Sequence, residues 1–114
     1  EHCFRALDVV TELGDKLGIS AAYANLGMAE RISGNLSASE EYYDESLAAL
    51  KGVDAPWRMG ERKMELGMLL EEKGDVGRAR KMLEESRDLF RGIDAKDMLS
   101  KVEDALRKLP SEER

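Results

Sequence analysis

The triplet Leu-Gly-Met occurs at positions 26–28 and again at 66–68, a shift of forty residues. Seven residues beyond each of these glycines stands another, Gly34 and Gly74. The same shift superimposes Val10, Leu50 and Phe90, then Leu13, Val53 and Ile93, then Ile19, Met59 and Leu99. It pairs Asn35-Leu36 with Asp75-Val76, Ser46 with Ser86, and Tyr43 with Leu83, with Cys3 one period earlier. A period of this length marks a stack of supersecondary units, none of which can bury its apolar face alone.

Inside each period the apolar spacing is helical. Leu66, Leu69 and Leu70, ending at Lys73, form one stripe; Val76, Ala79, Met82, Leu83, Leu89 and Phe90 form another. The breaks carry turn chemistry. Gly34 and Gly74 suit the left-handed position past a helix end, and Asn35 and Asp75 suit the cap of the next helix. Ser37 with Glu40 offers a competing capping box for that start. Asp54 and Asp94 read as N-caps of the longer helices, with Pro56 tolerated in a first turn.

This spacing predicts helices over 2–13, 16–33, 36–51, 55–73, 76–91 and 95–109. The expected fold is all-α: an α-solenoid of antiparallel helix pairs, about six helices in a single domain over 1–114. Residues 1–13 read as the second helix of a partial repeat, 16–51 and 55–91 as repeats, and 95–109 as a capping helix. The unpartnered first helix reads as a chain that begins mid-array. Composition agrees: aromatics are 5% of the 114 residues and there are two prolines, Pro56 and Pro110, too few for a strand-and-turn fold.

Helix pairs with these marks resemble the tetratricopeptide repeat. In that family the first helix carries a Leu-Gly pair, matched by Leu26-Gly27 and Leu66-Gly67. The turn carries Gly-Asn or Gly-Asp, matched by Gly34-Asn35 and Gly74-Asp75. The second helix carries a small, a large and a small residue, matched by Ser39, Tyr43, Ser46 and by Ala79, Leu83, Ser86. The usual period is about 34 residues, whereas forty is similar to the longer repeats of kinesin light chains. The large residue expected early in the first helix is present as Tyr23 and replaced by Lys63, which implies less regular packing there or a slightly rotated helix.

The Leu-Gly glycines are expected where the two helices of a repeat approach closest, since a Cβ there would push them apart. The next position in register is Arg107, whose long cation cannot occupy such a contact. The last helix therefore reads as a solvated cap with Glu103–Arg107 and Asp104–Lys108 pairs.

The formal charge of −6 leaves no basic stripe for nucleic acid. No apolar run approaches the ~18 residues of a membrane span, and no signal peptide is visible. The single cysteine, Cys3, fits a reduced, cytoplasmic setting. With one histidine, His2, no metal-ligand spacing and no phosphate loop, the chain reads as no enzyme, with no cofactor and no metal. Pairs such as Glu71-Glu72 and Glu84-Glu85 read as solvated helix surface.

The expected function is therefore protein–protein interaction, as part of a larger scaffold or regulatory protein. The family resemblance implies a concave groove lined by the first helices, on Asn25, Met28, Arg31 and Ile32 in one repeat. In the next repeat it implies Glu61, Met64, Glu65, Met68 and Glu72. Glu61, Glu65, Met68 and Glu72 fall on one stripe at i, i+4, i+7 and i+11. That stripe reads either as tolerated acidic surface, partly neutralised by Lys101, or as an acidic rim around Met28, Met64 and Met68 for a basic or amphipathic partner. Met59, Met82 and Met98 read as core. Asn25 offers a hydrogen bond either to a ligand backbone or across the helix pair. Some grooves of this family clamp an acidic C-terminal tail, but Glu61 and Glu65 stand where that needs cations.

Trp57 reads as a staple of its helix on the preceding one, or else as a partner contact. The alternative function is homodimerisation through the exposed first-helix edge of Phe4, Leu7 and Val10.

Overall fold

In a computed structural model of the chain, the structure describes residues 16–110. These form helices α1 (Lys16–Ile32), α2 (Leu36–Ala49), α3 (Pro56–Lys73), α4 (Val76–Gly92) and α5 (Lys96–Lys108), with no strand among the described residues. The five predicted helices from residue 16 onward are thus present, with ends shifted by one or two residues. The predicted helix 2–13, the edge of Phe4, Leu7 and Val10, and the readings of His2 and Cys3 lie outside the described residues. The chain divides into two units at the Asp54–Ala55 bond. Among the described residues no helix is long and apolar enough to cross a membrane.

In the first unit, α1 and α2 are locked at two levels. Gly27 lies against Tyr43 and the carbonyl of Ser39: a Cβ on it would stand 3.0 Å from Tyr43 Cε2 and 3.3 Å from Ser39 O. Ser39 Oγ donates to Gly27 O at 2.6 Å, using a carbonyl that the bare glycine leaves accessible. Two turns earlier, Ser46 Oγ donates to Ser20 O at 2.7 Å. Its single proton is then spent, so the Ser20 hydroxyl supplies the proton of the 2.8 Å bond between the two side chains. Tyr23 stacks on Tyr42 outside this seam, with ring centroids 6.3 Å apart.

The second unit repeats the seam with different volumes. A Cβ on Gly67 would meet Leu83 Cγ at 2.8 Å and Ala79 O at 3.3 Å. Ser86 Oγ donates to Gly60 O at 2.7 Å, the counterpart of the Ser46–Ser20 bond forty residues earlier. Gly60 is bare because the Phe90 ring lies only 2.9 Å from where its Cβ would be. At the equivalent positions the first unit carries Ser20 and the smaller Leu50. Leu66, Leu69 and Leu70 of α3 are buried with Ala79, Leu83 and Phe90 of α4. Lys63 Nζ meets Glu85 Oε1 of α4 at 2.5 Å, an ionic tie between the two helices, whereas Tyr23, forty residues earlier, stacks on Tyr42 of α2.

The turns show which capping residues do what. Gly34 and Gly74 are left-handed, with φ of 87° and 88°. After each, the chain closes a Schellman pair: Asn35 N to Glu30 O and Gly34 N to Arg31 O, then Asp75 N to Leu70 O and Gly74 N to Glu71 O. Asp94 departs from its expected role. It has φ 56° and donates its N–H to Arg91 O while Ala95 N bonds Phe90 O, so it ends α4 rather than capping α5. Aspartate is among the few residues that tolerate this conformation. The N-cap positions of α3 and α5 fall instead on Ala55 and Ala95, with Pro56 in the first turn of α3.

Asn35 and Asp75 do occupy N-cap positions, and Ser37 lies inside α2. The Asp75 carboxylate accepts from Arg78 N at a long 3.4 Å, whereas Asn35 spends its amide on Glu30 Oε1 at 2.8 Å. Of the methionines expected in the core, Met98 is buried and Met59 and Met82 are half-buried. Helix α5 is more than a solvated cap, since Met98, Val102 and Ala105 are buried along one face. Its outer face is ionic: Arg107, in register with the two glycines, is exposed and pairs with Asp104, and Glu103 with Arg91 at 3.7 Å.

The seam predicts a ranking. Gly67→Ala and Gly27→Ala should each destabilise by about 1–3 kcal/mol through overpacking. Gly67→Ala should cost more, because its Cβ would stand 2.8 Å from Leu83 Cγ, a branch point close to the backbone, against 3.0 Å from Tyr43 Cε2 for Gly27. Arg107→Leu should stay within about 0.5 kcal/mol. Urea denaturation of the three variants measures this; equal losses at all three positions would refute the forty-residue register.

Candidate functional site

On α3 the predicted stripe of Glu61, Glu65, Met68 and Glu72 is organised by a residue that sequence reasoning passed over. Arg62 is buried, with its Nη1 2.8 Å from Glu65 Oε1 and its Nη2 3.6 Å from Glu61 Oε1. The guanidinium therefore offsets the repulsion expected of two carboxylates four residues apart, and it holds them close to the surface of the helix. The Glu65 side chain is only 19% exposed and that of Glu61 31%. The legible signal was the i, i+3 spacing of Arg62 and Glu65. Burial of a cation on this helix was not legible, because Ala22 holds the corresponding position forty residues earlier.

Met64 and Met68 lie one turn apart on α3 and border a cleft with α5. Glu71 completes the α3 wall; Lys101, Asp104, Ala105 and Lys108 form the wall opposite, around a volume of about 360 Å³. Met64 is buried and forms the floor, while Met68 is 37% exposed and forms the rim. Lys101 shares this lining with the two methionines, and the carboxylates in it are Glu71 and Asp104 rather than those of the stripe that Lys101 was expected to neutralise. Glu61, Glu65 and Glu72 are absent from this lining; Glu72 is exposed further along α3.

The first unit places its candidates on α1. Asn25 and Met28 are exposed, Ile32 is 81% exposed at the last turn, and Arg31 is half-buried. A second cleft, of about 350 Å³, lies instead between the start of α1 and the end of α2. Lys16, Ile19, Tyr23, Glu45, Ala48, Ala49 and Lys51 line it, and no predicted site residue is among them. Trp57 is half-exposed and packs edge-to-face on Phe90 of α4, the helix that follows its own, with ring centroids 5.4 Å apart.

The α3–α5 cleft is lined by two methionines, an alanine and four charged residues. Its side chains are thioethers, carboxylates and ammonium groups, with no nucleophile beside a base. Among the described residues no group of three or more His, Cys, Asp or Glu is placed to hold a metal ion. No family model matches the chain, and no curated protein matches it either.

The Arg62 arrangement changes what a charge reversal on this face should do. Glu65→Lys sets a second cation against a buried guanidinium, whose Nε already has no hydrogen-bond partner. It should cost about 2 kcal/mol, while Glu72→Lys on the exposed surface should cost less than about 0.5 kcal/mol. Thermal and urea unfolding separate the two; equal effects would show that Arg62 does not depend on Glu65.

Proposed function

We propose that this chain is a protein-interaction module that seats an amphipathic segment of a partner protein, with apolar side chains docked on Met64 and Met68. The observation that carries the reading is the α3–α5 cleft itself: an apolar methionine floor, one half-exposed methionine at its lip, and charged residues only around the edge. Interaction sites share this plan of an apolar centre within a polar rim. Methionine suits it, because an unbranched, polarisable side chain adapts to differently shaped partners. The acidic residues of α3 favour basic side chains beside the partner's apolar anchors.

The wider reading is part of the same proposal. The forty-residue register, the Leu-Gly seams and the Schellman turns support a tetratricopeptide-like α-solenoid, which we propose to be a non-catalytic, cytoplasmic part of a larger scaffold or regulatory protein. On that reading Asn25, Met28, Arg31 and Ile32 form a binding surface of the first unit on α1. Homodimerisation through Phe4, Leu7 and Val10 is the competing proposal.

A display screen of amphipathic peptides against the chain tests the two together. The expected result is capture of peptides with paired apolar anchors. Met68→Ala should weaken them by about tenfold, chiefly through faster dissociation, since no long-range charge is altered. Capture of nothing, together with a sedimentation coefficient that rises with concentration, would overturn the proposal in favour of self-association.

A further inference from the structure

We propose that the segment seated in the α3–α5 cleft is a helix of bipolar charge, its acidic flank against Lys101 and Lys108 and its basic flank against Glu71, so that charge fixes the direction in which it lies. This rests on the partner-binding reading above and adds the chemistry of the partner.

The two walls differ in sign. Lys101 and Lys108 are exposed on the α5 wall, and Asp104 between them is engaged by Arg107 of the same helix. On α3 the carboxylates nearer the N-terminus, Glu61 and Glu65, are compensated by Arg62, which leaves the acidic character at Glu71. A partner with basic residues on both flanks would set cations against the two lysines. One with acidic residues on both flanks would meet Glu71. Only a partner with one flank of each sign complements both walls.

The spacing selects a helix over an extended peptide. Lys101 and Lys108 are seven residues apart on α5, so they lie about 10 Å apart along its axis and on nearly the same face. A partner helix returns a side chain to one flank at i and i+7, the same interval. A strand returns side chains to one face at about 7 and 13 Å and so misses it. Met64 and Met68, floor and rim, have the i, i+4 interval of a helix surface, into which an i, i+4 apolar pair of a second helix interdigitates. Turning such a helix end over end exchanges its flanks while keeping its apolar face down, so the two wall charges choose one direction.

Three helical peptides with the same apolar strip test this by fluorescence anisotropy: one bipolar, one with both flanks basic, one with both flanks acidic. Wild type should prefer the bipolar peptide by about tenfold, the sum of two or three exposed charge pairs. Lys101→Glu with Lys108→Glu should transfer the preference to the doubly basic peptide, with an unchanged circular dichroism spectrum because both lysines are exposed. A spin label on the N-terminus of the bipolar peptide should broaden resonances at one end of α5, and exchanging its flanks should move the broadening to the other end. If the doubly basic peptide binds wild type as well as the bipolar one, or the double variant leaves the order unchanged, the bipolar helix is refuted. The roughly tenfold weakening by Met68→Ala would then still uphold the cleft. Failure of all three peptides to bind would remove both.

Discussion

The pairing of α1 with α2 and of α3 with α4 depends on contacts in which a helix backbone touches a neighbouring side chain because a Cβ is missing. Gly27 lies under Tyr43, and Gly67 under Leu83. The glycines alone would be a weakness, since each lowers helix propensity by ~1 kcal/mol relative to alanine. What they permit outweighs that: large apolar groups buried against the bare backbone, with a serine bond between the helices two turns away, Ser46 to Ser20 O and Ser86 to Gly60 O. Those bonds go to main-chain oxygens, so they demand nothing of the side chain at the accepting position. Serine and glycine can therefore alternate there, as Ser20 and Gly60 do, provided that the facing residue changes volume from Leu50 to Phe90.

The parts of the fold that follow from period were legible in the sequence. Helix positions, the left-handed Gly34 and Gly74, and the closeness at Gly27 and Gly67 all rest on spacings that recur after forty residues. Asp94 misled because aspartate favours two neighbouring roles, the cap that begins a helix and the left-handed residue that ends one. The turn after α4 is in register with the turn after α2, and its glycine, Gly92, matches the left-handed Gly52 but stays within α4, so the left-handed position fell to the aspartate and the cap position to Ala95. Two residues competed for one turn, and local preference alone could not rank them.

The candidate site was less legible, because its charges are set by pairs that no period announces. Arg62 has no counterpart in the first unit, and its burial beside Glu65 turns an apparently repulsive stripe into a compensated one. Likewise Lys63 was expected to loosen the packing, yet its stem spans to α4 and its ammonium reaches Glu85. Long cationic side chains can cover apolar surface and still place their charge at a carboxylate. A sequence shows the charge of such a residue, whereas its reach depends on which helix stands opposite.

The seam also explains why methionine is presented to solvent in both units. Successive residues of an α-helix are turned by about 100°. Once Gly27 and Gly67 are fixed against α2 and α4, the rotational phase of α1 and α3 is fixed with them. The next residues, Met28 and Met68, must then point away from the seam, and both are exposed, at 45% and 37%. The residue before each glycine, Leu26 or Leu66, is carried round the other way and is buried. One bare backbone position thus assigns its two neighbours to opposite sides of the helix. Rotating α3 to hide Met68 would drive the glycine out of its contact with Leu83 and withdraw Leu66 from the core. The exposed thioether beside the cleft is accordingly a consequence of the packing that holds the helix pair together.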